Sequence, residues 1–224
     1  MPDDVPLIEW QWVATHLDEI GEQLWEHIVL TVVAVAIGFA ISFALALLVH
    51  RRRAAYGPVS TVAATLYTIP SIALFAVLTP ITGFGSVLTA EVALISYTLF
   101  VLIRNIVAGL ESVPADVREA AQGLGYAPWA MLWRVELPLA LPLIVAGLRV
   151  AAVTTVGLVT VAAVIGQGGL GALILRGLRQ FSTFPTPAYV GALLSLGLAV
   201  VIDVTLLVVQ RRLTPWSAQA ATRG

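Results

Sequence analysis

The chain has 224 residues, of which 59% are hydrophobic and only 11% are charged, and its mean hydropathy is strongly positive. This composition excludes a soluble globular domain and indicates an integral membrane protein. The net charge of -1 gives no reason to expect a nucleic-acid partner, and the lack of cysteine excludes disulfides, thiolate metal sites and cysteine nucleophiles.

Residues 1–27 are predicted to form an extracytoplasmic segment that precedes the membrane. Apolar residues recur there at helical spacing, at Val13, Leu17, Ile20 and Leu24. We therefore expect a short amphipathic helix on the outer surface, where it serves as an anchor or, alternatively, as a docking surface. Three tryptophans would hold it at headgroup depth, namely Trp10, Trp12 and Trp25. The acidic start does not fit a signal peptide, so we interpret it as mature sequence.

Five later segments have the ~20 mainly apolar residues that a membrane-spanning helix needs. They cover residues 28–49, 59–79, 87–109, 140–165 and 189–209. Together they predict an all-α fold in which residues 28–212 form a single transmembrane domain with no internal repeat. The three histidines, His16, His27 and His50, fall at or before the first charged boundary. We expect each to be interfacial, which leaves no buried histidine pair for a metal or a proton relay.

The arginines predict the orientation of these spans. If the triplet Arg51–Arg53 after the first span is cytoplasmic, ten of the twelve arginines lie inside or at an inner helix end. Only Arg176 and Arg179 then lie outside, as the positive-inside rule favours. We therefore expect an outer N-terminus, a cytoplasmic insert at 110–139 and a cytoplasmic tail at 213–224, in the plasma membrane of a prokaryote.

A glycine-rich segment, residues 166–187, separates the fourth and fifth spans, and its apolar part is too short to cross the bilayer. It lacks the lysine and the serine or threonine of a phosphate-binding P-loop, and it would lie on the side away from ATP. We expect a flexible outer element that is re-entrant or interfacial.

The insert at 110–139 has the signals of two short helices joined by a turn. Pro114 suits the start of the first helix, Gly123 and Gly125 would stop it, and Pro128 suits the start of the second. Leu137-Pro138 would end that second helix before the fourth span. A polar loop of this length usually has a function or a partner.

This insert resembles the EAA loop of ABC importer permeases. The family pattern reads EAA, three residues, Gly, nine residues, Ile-any-Leu-Pro. The chain carries Glu119, Ala120, Ala121, Gly125, Leu137 and Pro138 in register, with Val135 in place of isoleucine. The resemblance implies that these residues couple the chain to a cytoplasmic ATPase subunit. Independently of the resemblance, the small side chains of Ala120 and Ala121 leave the first helix slender, so that its backbone could seat closely in a groove on another protein.

A looser resemblance covers residues 22 to 212 and favours permeases for glycine betaine, choline, carnitine and related osmoprotectants. It rests on the segments at 24–31, 67–85 and 146–171, parts of which methionine importers and other small permeases share. Gln167 departs from the alanine found in many relatives. The resemblance implies a type I importer: two ATPase subunits that hold ATP and magnesium, a second permease chain that is a copy or a sister, and a separate outer binding protein. This chain itself would hold no cofactor and catalyse no reaction.

Several polar residues within the spans are candidates for the translocation path. Asp203 would be a pathway residue or, alternatively, one half of an ion pair with Arg104 or Arg149. Pro70, near Tyr67 and Ser71, would either open the second span onto a path or mark a packing kink. Two threonines of the fourth span, Thr154 and Thr155, would face a pore or hydrogen-bond between helices. The small residues Ala34, Gly38 and Ser42 predict a close-packing stripe.

Three other classes of protein are weaker interpretations. A secondary transporter predicts paired repeats and several buried ionisable groups. An intramembrane enzyme needs a nucleophile and a base within the spans. A structural scaffold leaves the polar insert unexplained.

Overall fold

A computed structural model describes residues 6–215, and all of the regular secondary structure in this part of the chain is helical, without strands. The all-α prediction is therefore confirmed. The helices are α1 (Trp10–Thr15), α2 (Leu17–Arg51), α3 (Tyr56–Thr68), α4 (Ser71–Thr82), α5 (Val87–Glu111), α6 (Ala115–Gly123), α7 (Pro128–Met131), α8 (Leu137–Ala162), α9 (Leu170–Arg179) and α10 (Thr186–Leu213).

Four stretches of the described chain are long and apolar enough to cross a membrane as single helices. They are Leu17–Arg51, Val87–Glu111, Pro128–Ile165 and Thr186–Leu213. A fifth crossing is available if the bent pair Arg53–Thr68 and Ser71–Thr82 counts as one span. The predicted number of about five spans is consistent with this arrangement.

The predicted second span, 59–79, is two helices set at 96° to each other. Pro70 causes the break because it has no amide hydrogen to donate and disfavours helical geometry at the residue before it. Accordingly Ile69 is extended, with ψ at 127°. A continuous helix over 59–79 is therefore wrong, while the predicted interruption at Pro70 is present.

The predicted outer helix and first span are one structure. After the short helix α1, α2 runs without a break from Leu17 to Arg51, so residue 27 marks no boundary in the helix. No proline lies between these residues, and an interior glycine is not enough to end a helix that is packed along one side. Trp10 and Trp25 are exposed as expected, whereas Trp12 packs against His16 and Phe184.

His27 is not interfacial, and the prediction for this residue is wrong. Its side chain is fully buried, and its Nε2 lies 3.1 Å from the carbonyl oxygen of Val156 in α8. Since a carbonyl only accepts, Nε2 is the donor in this bond. His27 therefore ties the N-terminal half of α2 to α8.

The core is formed by α5 packed between α2 and α8. The close-packing stripe predicted in α2 lies at the first of these interfaces, and all three of its residues are buried: Ala34, Gly38 and Ser42. A Cβ on Gly38 would lie 3.0 Å from the Cβ of Thr98 in α5, which is tighter than ordinary contact. Small residues thus bring these helices close together, as is usual in membrane bundles. The last helix, α10, packs on the outside of this core against α8 and α9.

The glycine-rich loop that opens the 166–187 segment is tightly packed, which contradicts the flexibility expected of that segment at residues 166–169. The amide of Gly168 donates to Glu26 Oε1 at 3.1 Å. A Cβ on Gly169, whose φ is +48°, would lie 2.6 Å from the backbone nitrogen of His27. Gln167 donates from Nε2 to the carbonyl of Gly85 at 2.7 Å. Gly169 therefore allows close approach to the backbone of α2, Gly168 packs against backbone atoms of Val159 and Ala163, and Gln167 links the loop to the turn before α5.

Candidate coupling loop and translocation path

The polar insert forms a compact helical loop at one end of the bundle. α6 begins after Pro114 and carries Asp116 in its first turn, where a carboxylate interacts favourably with the positive end of the helix dipole. α7 begins at Pro128, which stands in the first helical turn as predicted. The sequence therefore indicated both short helices.

The three residues of the EAA motif do not face the same way. Glu119 and Ala120 are exposed on α6, whereas Ala121 is buried with 6% exposure. At the end of the helix, Leu124 is 79% exposed and Tyr126 is 36% exposed. The loop therefore exposes a carboxylate, a small residue and an apolar tip on the surface of the chain, while Ala121 holds α6 against the rest of the chain.

Gly125 ends α6 through a Schellman motif. Its φ is +80°, and its amide donates to the carbonyl of Gln122 at 2.9 Å. The next amide, that of Tyr126, donates to the carbonyl of Ala121 at 3.1 Å. This pair of bonds requires a left-handed residue after the helix, a position that glycine occupies without strain. The motif glycine is thus explained by backbone geometry.

Gly125→Ala is expected to destabilise this turn by about 1–2 kcal/mol, because alanine resists the left-handed conformation. No atom lies within 4 Å of a Cβ at either Gly125 or Gly123. Gly123→Ala is therefore a matched control that adds the same methyl group without a positive φ. Tryptic cleavage after Arg118 and Arg134 should be faster in the first variant alone. Equal cleavage in both variants would contradict the role assigned to φ.

The chain passes from α7 into α8 without ending a helix, so the predicted stop at Leu137-Pro138 is wrong. Residues Leu132–Glu136 form a π-helical turn, and the amide of Leu137 donates to the carbonyl of Leu132. Pro138, which follows in the first turn of α8, has no amide hydrogen to continue the α-helical ladder. The wider π turn absorbs this missing donor, so the helical path is continuous from Pro128 to Ile165.

A buried carboxylate lies at the end of the π turn. Glu136 is 2% exposed, and its Oε1 lies 2.9 Å from Nε of Arg118 in α6. Its Oε2 lies 3.0 Å from Nε2 of His50, near the end of α2. Arg118 also donates to the carbonyl of Leu110 at the end of α5. Sequence reasoning missed this cluster, although a carboxylate in the otherwise apolar run after Arg134 was a usable signal.

Three candidate path residues lie at the break between α3 and α4. Tyr67 is 39% exposed, and its ring centroid lies 5.0 Å from that of Phe100. Pro70 is exposed and Ser71 is half-buried. The Ile69 carbonyl at the break accepts a hydrogen bond from the hydroxyl of Tyr97 in α5. A neighbouring helix thus satisfies a backbone group at the break, as the packing-kink alternative expects.

The other candidates lie on α8 and α10. Arg149 Nε and Nη2 donate to the two carboxylate oxygens of Asp203, both at 2.9 Å. The ion-pair alternative for Asp203 is therefore confirmed with Arg149, whereas the guanidinium of Arg104 lies over the ring of Phe100 at 5.2 Å. Thr154 is exposed and lines, with Arg149 and Asp203, an open groove of about 570 Å³ between α8 and α10.

Thr155 lies on a different side of α8 from this groove. It is 1% exposed and donates to the carbonyl of Ala151 in its own helix. Its side chain thus has no access to a path in this chain. The α3/α4 pair packs mainly on α5, while α10 packs on α8 and α9. The structure therefore separates the candidates into two groups that do not meet within one chain.

Removing both charges of the Arg149–Asp203 pair is expected to destabilise the protein less than removing the charge of Asp203 alone. Asp203→Asn leaves the Arg149 cation within an apolar helix pair, whereas Arg149→Gln combined with Asp203→Asn removes both charges. The single variant should give less monodisperse protein in mild detergent and a lower unfolding midpoint than the double variant. A single variant as stable as the double one would show that the pair is not coupled.

Residues 6–215 contain no group of three or more His, Cys, Asp or Glu side chains that could hold a metal ion. The multi-span helical bundle and the projecting polar loop define a membrane-embedded transport component. The chain belongs to the family described as binding-protein-dependent transport system inner membrane component, which it matches over residues 23–215. It is accordingly an inner-membrane subunit of an ABC importer. Transporters of this class work with ATPase and substrate-binding partners.

Two relatives are similar over most of their length. The chain is 35% identical over 211 residues to the choline transport system permease protein OpuBB of Bacillus subtilis (strain 168), covering 93% of this chain and 95% of that protein. It is 40% identical over 195 residues to the osmoprotectant import permease protein OsmW of Salmonella typhimurium, covering 85% of this chain and 90% of that protein.

The fold is shared with a solved importer. The inward-facing MetNI methionine ABC transporter contains a chain that superposes with a TM-score of 0.78 at 23% identity, covering 89% of this chain and 98% of that one. This similarity concerns the fold alone, and it confirms the predicted type I architecture.

Proposed function

We propose that this chain forms the translocation path of an ATP-driven importer for a quaternary-ammonium osmoprotectant such as glycine betaine, choline or carnitine. The observation that carries the proposal is the similarity, over more than four fifths of the chain, to permeases named for choline and for osmoprotectants. Methionine or another amino acid is the alternative solute. A secondary transporter, the alternative from a different class, is not favoured by the family.

The proposed complex contains two permease chains, which are copies or sisters, two cytoplasmic ATPase subunits and a separate outer binding protein. The groove between α8 and α10 supports the pairing of permeases. Its Arg149 and Asp203 side chains are 25% and 37% exposed in a single chain, on helices that are otherwise apolar. Since charged groups facing lipid are costly, this surface is better suited to a partner helix or a hydrated path.

The proposed coupling uses the exposed face of α6. In the orientation with an outer N-terminus and a cytoplasmic C-terminus, Glu119, Ala120 and the apolar tip at Leu124 face the cytoplasm. ATP and magnesium are held by the ATPase subunits, and their dimerisation would tilt α6 and reverse the side to which the path opens. A quaternary ammonium group has no proton to donate, so its recognition would rest on an aromatic cage, which we place on the binding protein.

Uptake into liposomes tests this proposal. The chain, reconstituted with its ATPase and binding protein, should take up labelled glycine betaine, choline or carnitine only when ATP is supplied inside. Uptake of methionine alone would overturn the substrate class. Uptake that is independent of ATP would overturn the importer itself.

A further inference from the structure

The buried cluster of His50, Arg118 and Glu136 joins three separate parts of the chain. His50 lies in the last turn of α2, Arg118 lies in α6, and Glu136 lies where the π turn meets α8. Arg118 adds a fourth part through its bond to the carbonyl of Leu110 in α5. Arg118 therefore links α6 directly to α5 and to the start of α8, and Glu136 extends this link to α2 through His50.

Burial makes this cluster hard to break. Glu136 is 2% exposed, and a carboxylate removed from water needs nearby positive charge to remain ionised at acceptable cost. The nitrogens of Arg118 and His50 lie within 3.0 Å of its two oxygens. A displacement of α6 must then either carry Glu136 with it or leave a buried charge without its partner.

The same cluster is not locked in one geometry. Among residues 6–215, Glu136 Oε2 and Arg118 Nε are buried without a well-aligned hydrogen bond, although both lie at ion-pair distance from a partner. An open cavity of about 250 Å³ borders the cluster and is lined by His50, Arg53, Glu111 and Arg118. The contact can therefore stay charge-paired while its side chains shift.

A nearby exposed pair provides a contrast. Arg53 and Glu111 approach to 3.4 Å, but their side chains are 80% and 51% exposed. Exposed pairs of this kind contribute little free energy because water screens them and their side chains remain mobile. An ion pair near α6 is therefore not enough to carry movement of that helix to its neighbours; the pair must also be buried.

We propose that Glu136 is a positioning residue that transmits movement of the coupling helix α6 to the inner ends of α2 and α8. The inference rests on the proposed coupling of α6 to an ATPase. When α6 tilts, Arg118 pulls on the carboxylate of Glu136 at the N-terminal end of α8. Through His50, the same carboxylate holds the end of α2, so both helices follow the loop as a unit.

The test measures coupling in the assembled complex. ATPase activity is recorded with and without the liganded binding protein, at equal amounts of assembled complex, for wild type, Glu136→Gln and His50→Gln. Arg53→Gln is the matched control at the exposed pair. The ratio of stimulated to basal activity should fall roughly three- to thirtyfold in both cluster variants and remain at the wild-type value in the control.

A purely structural role would lower the amount of complex without changing this ratio. If Glu136→Gln does not assemble, Arg118→Lys and His50→Gln still leave the carboxylate a cation and carry the test. Wild-type ratios in the assembled cluster variants, or an equal fall in Arg53→Gln, would overturn the inference. A wild-type chain that binds no ATPase would instead overturn the proposed function on which it rests.

Discussion

Glu119→Arg is expected to reduce the amount of ATPase that purifies with this chain by at least about tenfold, since a loss of only 1.4 kcal/mol of interface free energy has that effect. Glu119 is exposed on α6, and its side chain makes no hydrogen bond or ion pair with any other residue within 6–215. Its reversal should therefore leave the fold intact and act on a partner. The measurement is the ratio of ATPase to permease after affinity purification.

Glu22→Arg is the control for this prediction. Glu22 is also exposed and acidic, and it lies near the opposite end of the bundle, in the N-terminal part of α2. The same charge reversal there should leave ATPase recovery unchanged. Undiminished recovery with Glu119→Arg, or an equal loss with Glu22→Arg, would contradict the assignment of the α6 surface to the ATPase.

Gly171→Ala is expected to cost about 1–3 kcal/mol or more of stability, the range for overpacking a close contact. A Cβ at Gly171 in α9 would lie 2.6 Å from the Cα of Thr160 in α8, and its other near neighbours belong to the same backbone. Backbone atoms of a packed helix cannot rotate away as a side chain can. The two helices must separate, so the unfolding midpoint of the purified protein should fall by several degrees.

Gly157→Ala is the matched control within α8. Nothing lies within 4 Å of a Cβ at Gly157, so the same methyl group should be neutral or slightly stabilising there. Equal unfolding midpoints for the two variants would show that α8 and α9 do not pack as closely as described.

The membrane architecture was predictable where one local property decides it. Long apolar runs determine spans, and Pro70 breaks the second span because its ring and missing amide act on adjacent residues. The same logic failed at Pro138, since a π turn supplied an alternative to ending the helix. His27 was misplaced because its partner, the carbonyl of Val156, is remote in sequence. Choosing Arg149 over Arg104 as the partner of Asp203 likewise required the packing of α8 on α10.

In the candidate coupling site, too, some features follow from local sequence and others depend on packing. Pattern recognition located α6 and its motif, and the left-handed turn at Gly125 explains one motif residue by backbone geometry alone. The opposite orientations of Ala120 and Ala121 depend on how α6 lies on the loop beneath it. Glu136 stayed unnoticed because its importance comes from burial beside Arg118 and His50, which no spacing along the chain reveals.

The most direct test of the central claim is to purify the tagged chain from its native membrane in mild detergent and to identify the accompanying proteins by mass spectrometry. An ATPase and an outer binding protein should accompany the chain, with the ATPase lost in Glu119→Arg and retained in Glu22→Arg. A stable complex that contains no ATPase would contradict the central claim.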